Sequence, residues 1–415
     1  YFKNRLYYID VKGMLSSLHG SAGAITALQN SVAHYYQRAS SADYLGVDPT
    51  RRSLTGTGGY VKVGRKGNAK WNFSETFTWS SPGFDLNDMG YMKETDYLMN
   101  ETEIMYRQTD IWKIFRYNAF TLSQKNMWNY GGTPFSNNAS LRWQSMTMNR
   151  YEWDVKETFA WNWLDSRLLR GGPDVRFGSY FLTSAKFNTD KAKRMMFMLK
   201  YEGDHNFEGN RFNTISPSLT FRLGNHVYLS GQLDYAWNTD EMQYVATTSP
   251  LSSSSLAPYY YVMGHMDQKT YGLTLKLQVN VTPDISIQFY GAPFTSIAKY
   301  DDFKLAADTK SHTFENRFQR IDPDQLTYAD GVYTIGEGAG QMPFRNPDFR
   351  FNEFRSNLVA RWEYLPGSTL YFVWEHRMSN RDNWYSSGWG SNLDRMWGLP
   401  ATNTFMIKMN YWFNL

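Results

Sequence analysis

The last thirteen residues alternate between apolar and polar side chains with a period of two. Apolar side chains occupy every second position from Phe405 to Leu415, and the positions between them are mostly polar. Successive side chains of a β-strand point to opposite faces, so this stretch predicts a strand with one apolar face. Half-buried strands of soluble sheets alternate as well. Here the pattern recurs along the whole chain with aromatic residues at its ends, which is typical of strands that span an outer membrane.

The composition favours strands over helices as membrane-crossing elements. Aromatic residues make up 17% of the 415 residues, yet the mean hydropathy is −0.57. A membrane-spanning helix needs roughly 18 or more consecutive apolar residues. No run of the chain approaches that length, and Met195–Leu199 is among the longest. A strand that faces lipid needs only alternate apolar residues, so a polar average is compatible with it.

Charge and cysteine content exclude several other classes of protein. The 43 basic and 39 acidic residues are interspersed and give a net charge of +4. Neither a basic face nor a known module predicts a nucleic-acid partner. Without cysteine the chain forms no disulfide, thiolate metal site or cysteine nucleophile. We expect no cofactor. Because the sequence starts abruptly at Tyr1, we expect that it begins after processing or that an upstream region precedes it.

Short and long connections separate the alternating runs. Gly224-Asn225, Thr282–Asp284 and Pro366–Ser368 are short turns, and Gly-Asn between two alternating runs is a good hairpin signal. Outer-membrane barrels have short periplasmic turns and long extracellular loops, so we expect these turns to face the periplasm. The long connections are rich in Gly, Pro, Ser, Asp, Asn and aromatic residues. They are 39–55, 81–102, 127–138, 239–266, 300–352 and 380–402.

These patterns predict an all-β fold, a closed antiparallel transmembrane β-barrel of about 16 strands. Residues 3–15 also alternate, and with a partner strand they would raise the count to about 18. We expect residues 1–23 to form an N-terminal periplasmic or lumen-proximal segment and residues 24–415 to form the barrel. The predicted strands are 24–38, 56–65, 69–80, 103–111, 115–126, 139–149, 152–164, 175–187, 192–204, 211–223, 226–238, 267–281, 285–299, 353–365, 368–379 and 403–415.

Several local strings, distributed over nearly the whole chain, point to a known family. The most distinctive are S-P-G-F-D-L-N-D-M-G-Y at Ser81–Tyr91 and F-R-S-N-L-V-A-R-W-E-Y-L-P-G-S-T-L-Y-F-V-W at Phe354–Trp374. The others are H-Y-Y-Q-R at His34–Arg38, L-G-V-D-P-T at Leu45–Thr50, S-L-T-G at Ser53–Gly56, R-G-G-P at Arg170–Pro173 and Y-G-A-P-F at Tyr290–Phe294. The chain thereby resembles a Bacteroidota outer-membrane family of unknown function. Its members join an N-terminal periplasmic module, similar to family-9 carbohydrate-binding modules, to a C-terminal β-barrel. The resemblance implies that this module lies outside the present sequence, and it implies no particular activity.

Charged residues fall in the inward phase of two strands near the C-terminus. Arg355, Arg361 and Glu363 lie on one strand, and Glu375 and Arg377 lie on its hairpin neighbour. We predict a lumen charge ladder in which Arg355 or Arg361 pairs with Glu363 or Glu375, because opposite charges attract strongly where water is scarce. The ladder would set pore selectivity or anchor an inward-folded loop, or it would merely fill the barrel.

The apolar phase predicts which side chains face lipid. Glu75 interrupts the apolar phase of Trp71–Trp79, and a charge that faces lipid is costly near the midplane. We therefore expect a local bulge at Glu75 or a partner that covers it. The predicted outward set is Leu273, Leu275, Leu277, Phe289, Leu358, Trp362, Phe372 and Phe405, and the inward set is Lys276, Gln278, Arg361, Glu363, Glu375 and Lys408.

Aromatic residues in the long connections predict a loop contact surface. Trp384, Tyr385, Trp389 and Trp397 lie close together in sequence, and Tyr259–Tyr261 adds three more rings. Tyr and Trp bury a large area and keep a polar group available, so they suit stacking on a glycan or docking of a protein. The alternative is that each ring belongs to the aromatic girdle at the membrane interface.

Catalytic and metal signals are weak. His19-Gly20-Ser21 is the compact His/Ser string that a membrane-embedded hydrolase would need, but no orienting partner is visible, so we predict no catalytic residues. Asp322, Asp324 and Asp330, or Asp301 with Asp302, offer oxygen ligands for Ca²⁺ without an EF-hand pattern, and we predict no metal site.

Three functions therefore stay open. The chain is a channel for a small polar solute such as a saccharide, a scaffold subunit of a larger outer-membrane assembly, or a membrane-embedded hydrolase. The expected partners are outer-membrane lipids, protein partners in an outer-membrane complex and a saccharide. The expected location is the bacterial outer membrane.

Overall fold

One antiparallel sheet of 17 strands dominates the structure, and nearly all of its strands pair with their neighbours along the chain. The exception is the short strand Phe318–Arg320: Ile285–Ala306 pairs both with it and with Phe349–Leu365. The computed structural model describes residues 6–38, 43–67, 69–88, 90–161, 163–224, 226–251, 259–382 and 389–413. The strands of the sheet are β1 Tyr7–His19, β2 Ser53–Arg65, β3 Trp71–Ser80, β4 Tyr97–Gln108, β5 Phe115–Trp128, β6 Pro134–Thr147, β7 Glu152–Trp161, then β10 Tyr180–Asn188, β11 Met195–Asn206, β12 Arg211–Leu223, β13 Val227–Thr248, β14 Tyr260–Asn280, β15 Ile285–Ala306, β16 Phe318–Arg320, β20 Phe349–Leu365, β21 Ser368–Asp382 and β22 Thr402–Asn410.

Smaller elements occupy the long connections. Strands β8 Trp163–Asp165 and β9 Val175–Phe177 pair with each other between β7 and β10. Strands β17 Leu326–Ala329, β18 Val332–Ile335 and β19 Met342–Arg345 form a second small sheet. Helix α1 spans Ala22–Gln29 and helix α2 spans Trp389–Trp397. Short 3-10 helices lie at Phe314–Arg317, Pro323–Gln325 and Gly338–Gly340. Within the described ranges, no helix is long and apolar enough to cross a membrane.

The prediction of a closed barrel is wrong. In the described part of the chain β1 pairs only with β2, and β22 pairs only with β21, so the sheet is open between its first and last strands. All nine residues of β22 are exposed. The alternation and the short turns determine how sequence neighbours pair. Closure needs a pairing between the two ends of the chain, which no local pattern encodes.

The first predicted strand is also misplaced. Residues 24–38 form α1 and a loop instead of a strand, and Tyr7–His19, which we assigned to an N-terminal segment, is the first strand of the sheet. Ser21 caps α1, since its hydroxyl accepts a hydrogen bond from the Ala24 N–H at 3.2 Å. Alanine-rich Ala22–Gln29 has good helix propensity, which outweighs a short apolar alternation.

The sheet has an apolar and a polar face, as predicted from the period of two. Leu277, Phe289, Leu358 and Trp374 follow one another across β14, β15, β20 and β21, so they share one face. Lys276 begins a parallel row on the other face that ends at Glu375. The register places all members of the predicted outward set on the first face and all members of the inward set on the second. We call these the apolar face and the polar face.

The two rims of the sheet differ in the length of their connections. On one rim no connection exceeds six residues, and the turns at Gly224, Thr282–Asp284 and Pro366–Gly367 lie there. Most of the predicted long connections lie on the other rim, but the prediction of a long connection at 127–138 is wrong, because β5 ends at Trp128 and β6 begins at Pro134. On the opposite, long-loop rim, strands β13–β15 extend to 21 or 22 residues and carry the small sheet β17–β19. An apolar core of Val262, Phe303, Ile335 and Phe344 packs the extended strands of the large sheet against the small sheet.

Candidate functional site

Two long connections of the long-loop rim, the one that contains α1 and the one after β3, fold onto the polar face. Ile25 of α1 packs with Tyr36 and with Leu54 of β2, whose side chain belongs to the polar face. The loop after β3 approaches the same strand so closely that Gly56 has the backbone of Phe84 against its Cα. The strings Ser53–Gly56 and Ser81–Tyr91, distant in sequence, therefore meet here.

A buried histidine joins the two loops. His34 Nδ1 donates to the Pro82 carbonyl at 2.9 Å, and Nε2 lies 3.1 Å from the Asp85 carboxylate. Asp85 also accepts the Asn87 N–H at 2.8 Å. Since His34 is 2% exposed and both ring nitrogens are engaged, it has no free nitrogen to act as a general base. We assign this pair a structural role.

Asp96 is the centre of a second buried cluster. Its carboxylate pairs with Arg38 Nη2 at 2.6 Å and accepts the hydroxyl of Tyr44 at 2.6 Å and the Tyr130 N–H at 3.1 Å. Burial, followed by the hydrogen bond to Asp96, raises the pKa of the Tyr44 hydroxyl above its ordinary value, so Tyr44 stays a donor at neutral pH. Asp96 has a φ of 61°, a left-handed conformation that Asp and Asn tolerate better than most residues.

A cavity of about 510 Å³, the ionic cavity, opens beside this cluster. At the wall of this cavity, the Arg167 guanidinium pairs with the Glu94 carboxylate. Burial, followed by the nearby charge of Arg38, lowers the pKa of Arg167 to about 10, so Arg167 stays charged at neutral pH. The charged groups of its lining are balanced: Arg38, Lys93, Lys125 and Arg167 against Glu94, Asp96, Asp165 and Asp174.

A second cavity of about 370 Å³, the aromatic cavity, lies between the β8–β9 hairpin and the polar face of β10–β13. Trp163 and Asp165 line both cavities, so the hairpin is the wall between them. The ring of Trp163 meets the ring of Tyr180 edge-on, with the centroids 6.0 Å apart. Four aromatic residues line this space, and Phe212 lies directly beside Asp204 and Asn238 on the sheet. The aromatic residues are Trp163, Phe177, Tyr180 and Phe212, and the polar residues of the lining include Asp204, Asn210, Arg211, Asn238, Thr239 and Asp240. Aromatic walls with a few convergent polar groups are the usual make-up of a small-molecule site.

The predicted charge ladder is present in part. Arg361 pairs with Glu363 at 2.5 Å, as predicted, but both Arg355 and Arg377 pair with Glu353, at 2.8 and 3.0 Å. Sequence reasoning overlooked Glu353, although it lies two residues before Arg355 on the same face. Glu375 lies on the polar face and forms no ion pair with any described residue. Whether the ladder influences solute selectivity stays a prediction.

The predicted loop contact surface is described only in part. Trp384 and Tyr385 lie outside the described residues. Trp389 begins α2, and its side chain is not described. Trp397 ends α2 with its ring 4.9 Å from the ring of Phe354, and it is 56% exposed. Helix α2 therefore lies against the apolar-face side of β20 at the long-loop rim.

The remaining sequence candidates have structural partners. Ser21 caps α1, and His19 contacts Ser17 at 3.1 Å, so these two residues form no nucleophile–base pair. Asp302 lies 3.2 Å from Lys304 and 3.3 Å from Arg320, which neutralise it. Among the described residues no group of three or more His, Cys, Asp or Glu side chains has the arrangement of a metal site.

Comparison with known proteins gives a family without an assigned function. No curated protein matches the chain. Among solved structures, the chain is similar to the crystal structure of the siderophore receptor PirA from Acinetobacter baumannii, at 9% sequence identity and a TM-score of 0.38, covering 98% of this chain and 68% of that one. A family model described as a domain of unknown function, DUF5916, matches residues 20–415. The chain belongs to the DUF5916 family.

Proposed function

We propose that this protein lies in the bacterial outer membrane, with its apolar face against lipid, and binds a saccharide in the aromatic cavity at its long-loop rim. The composition of that cavity is the observation that carries the proposal. A sugar ring presents apolar C–H faces, which stack on aromatic side chains, and hydroxyls, which pair with carboxylates and amides. Trp163 and Phe212 supply the first kind of contact, and Asp204 and Asp240 supply the second.

The location in a membrane is supported by the exposure of the apolar face. Leu233 is 46% exposed, Leu275 40% and Ile407 74%, and similar residues follow on neighbouring strands. Soluble monomers rarely expose contiguous apolar patches larger than about a few hundred Å². An outward apolar sheet face is what the strands of outer-membrane proteins present to lipid. The family resemblance supports a Bacteroidota outer-membrane protein, and a neighbouring carbohydrate-binding-like module would suit a saccharide ligand.

The location can be tested with single cysteines, because the chain has none. Leu275→Cys and Lys276→Cys are adjacent and lie on opposite faces. Each is labelled with an environment-sensitive fluorophore in outer-membrane vesicles. We expect a lipid-phase quencher to act on the label at position 275 and aqueous iodide to act on the label at position 276. Equal access of iodide to both labels would contradict the proposed membrane contact.

The ligand class can be tested by titrating the purified chain with maltose, cellobiose and chitobiose in calorimetry. Trp163→Ala should weaken binding about tenfold, or about 1.4 kcal/mol. Trp362→Phe is the matched control, because Trp362 lies on the apolar face far along the sheet from the cavity. Absence of binding to all three sugars, or an equal loss in the control, would refute the saccharide assignment.

A further inference from the structure

A band of polar side chains interrupts the apolar face on strands β3–β12. We call it the polar band. Its members lie on seven of the eight adjacent sheet strands in this range, because β11 has Gly203 between Thr183 and Asn213. The members on β6 and β7 are offset along the strands, since Glu157 pairs with Leu141. At about 4.8 Å between neighbouring strands, the eight strands span roughly 34 Å. Its members are Glu75, Asn100, Thr102, Gln124, Asn126, Asn137, Glu157, Thr183 and Asn213.

The register proves that Glu75 points to the apolar face. Its β4 partner is Thr102, and the flanking pairs are Phe73 with Ile104 and Phe77 with Asn100. The pairing of β3 with its neighbours is continuous, so the expected bulge at Glu75 is absent there. Along β3, Glu75 is equidistant in sequence from Trp71 and Trp79. Since aromatic residues mark the two membrane interfaces, this places Glu75 near mid-depth.

Neutral groups are the hydrogen-bond partners of both carboxylates of the band. Asn100 and Thr102 donate to Glu75, the latter at 2.6 Å. The Thr183 hydroxyl donates to Glu157 at 2.7 Å. Within the described residues no Lys, Arg or His lies within 4.0 Å of either carboxylate, and the band itself contains no basic residue. Two charges without counter-ions are costly in contact with hydrocarbon.

The other half of the apolar face has no such interruption at mid-height. Leu233 on β13, Leu275 on β14 and Phe289 on β15 continue into Leu358 and Phe372 on β20 and β21. Lipid contact explains that half. It does not explain nine polar residues on seven strands of one half of the sheet, two of them acidic.

We propose that the polar band is the docking surface for a second membrane protein, whose apolar surface carries basic side chains opposite Glu75 and Glu157. The charge of the band selects this occupant, because Lys or Arg would neutralise both carboxylates and satisfy the amides. A symmetric contact with a second copy would oppose the band to itself and bring carboxylates together. This inference rests on the proposed membrane location and is independent of the saccharide.

The test is site-specific photocrosslinking in membranes of the organism that produces the chain. Gln124→Cys, exposed within the band, and Leu275→Cys, in the uninterrupted half, are each labelled with benzophenone maleimide and illuminated. We expect a protein adduct from position 124 and none from position 275. Glu75→Gln with Glu157→Gln should reduce the adduct about tenfold, whereas Glu75→Asp with Glu157→Asp should retain it.

Several outcomes would overturn the proposal. They are equal adducts from both positions, an adduct that the double Gln variant leaves unchanged, or an adduct of two differently tagged copies of this chain. Membrane fractionation of the same samples separates the two proposals. Protein found in the outer membrane without a charge-dependent adduct refutes the docking surface alone, and protein found outside the membrane refutes both. A normal lipid-quenching signal from a label at position 275 verifies that each double variant is folded and inserted.

Discussion

Arg317 donates two parallel hydrogen bonds to Glu208, from Nη1 to Oε2 at 2.9 Å and from Nη2 to Oε1 at 2.8 Å. The Arg317 side chain is 1% exposed. Its Nη1 also donates to the Arg176 carbonyl at 2.8 Å, and Glu208 Oε2 accepts the Gly178 N–H at 2.8 Å. The pair therefore fixes both ends of the Arg176–Gly178 segment, which supplies Phe177 to the aromatic cavity.

Replacing Arg317 by Met should lower the free energy of unfolding by about 3–5 kcal/mol, because Glu208 would lose the cation that compensates its partial burial. Phe177 should lose its fixed position, so saccharide affinity should fall as well. Urea unfolding and calorimetry measure the two effects. Arg320→Met is the control: its pair with Asp302 is largely exposed and should contribute about 0–1 kcal/mol. Similar losses in both variants would contradict the role of Arg317.

Asp96→Asn should destabilise the loops that line the ionic cavity. Asn tolerates the left-handed conformation of residue 96 and can still accept one hydrogen bond. The change therefore removes mainly the charge that compensates buried Arg38, at a cost of about 3–5 kcal/mol. Tyr44→Phe removes a single hydrogen bond to the same carboxylate and should cost about 1–3 kcal/mol. The unfolding midpoints of both variants provide the comparison, and a larger effect from Tyr44→Phe would refute this ranking.

The sequence was sufficient to predict those features that depend on near neighbours. The alternation of Leu273, Leu275 and Leu277 with Lys276 and Gln278 gave the correct faces, because side-chain direction in a strand depends only on parity. The turn at Pro366–Gly367 was recognised for a similar reason, since Pro and Gly restrict local backbone angles. Glu353 has the parity of Arg355 and could have been found by the same rule.

Features that depend on distant contacts were missed. The sheet is open between β1 and β22, and the pairing of these two strands would depend on both ends of the chain. The cavities arise because the connection that contains Trp163 and Asp165 folds back onto β10–β13, and loop composition does not specify that path. Glu75 was recognised as an exception on its own strand. The polar band became visible only when the register aligned Glu75 with Thr102 and placed Glu157 on the same face.

The stability of the long-loop rim should depend on pH through Asp348. Burial raises the pKa of this carboxyl, although its Oδ1 accepts the Tyr300 N–H at 2.7 Å. A raised pKa in the folded state means that the protonated form is favoured there. The protonated carboxyl of Asp348 therefore stabilises the fold fully below the ordinary pKa of 3.8. This stabilisation is lost as the pH rises through the raised pKa of the folded state.

Asp348→Asn keeps an acceptor for Tyr300 and removes the charge. The variant should therefore be more stable than the native chain at pH 7, and the difference should vanish as the pH falls toward 3.8. Urea unfolding between about pH 3.5 and pH 7 measures this difference, because that range covers the usual titration of a carboxyl group. A stability difference that stays constant over this range would rule out titration of Asp348 as its source.

Gly56 should tolerate no side chain, because the loop after β3 lies directly on it. A Cβ at this position would fall 2.1 Å from the Phe84 backbone nitrogen and 2.4 Å from the Gly83 carbonyl carbon, and these are backbone atoms that cannot rotate away. Gly56→Ala should therefore displace the Ser81–Tyr91 loop and cost about 3 kcal/mol or more. Gly13→Ala is the matched control on neighbouring β1, where a Cβ meets no atom within 4 Å and the change should stay within about 0.5 kcal/mol. Limited proteolysis should cut the loop faster in the Gly56 variant alone. Equal protection of the loop in the two variants would show that this close approach is not what holds it against the polar face.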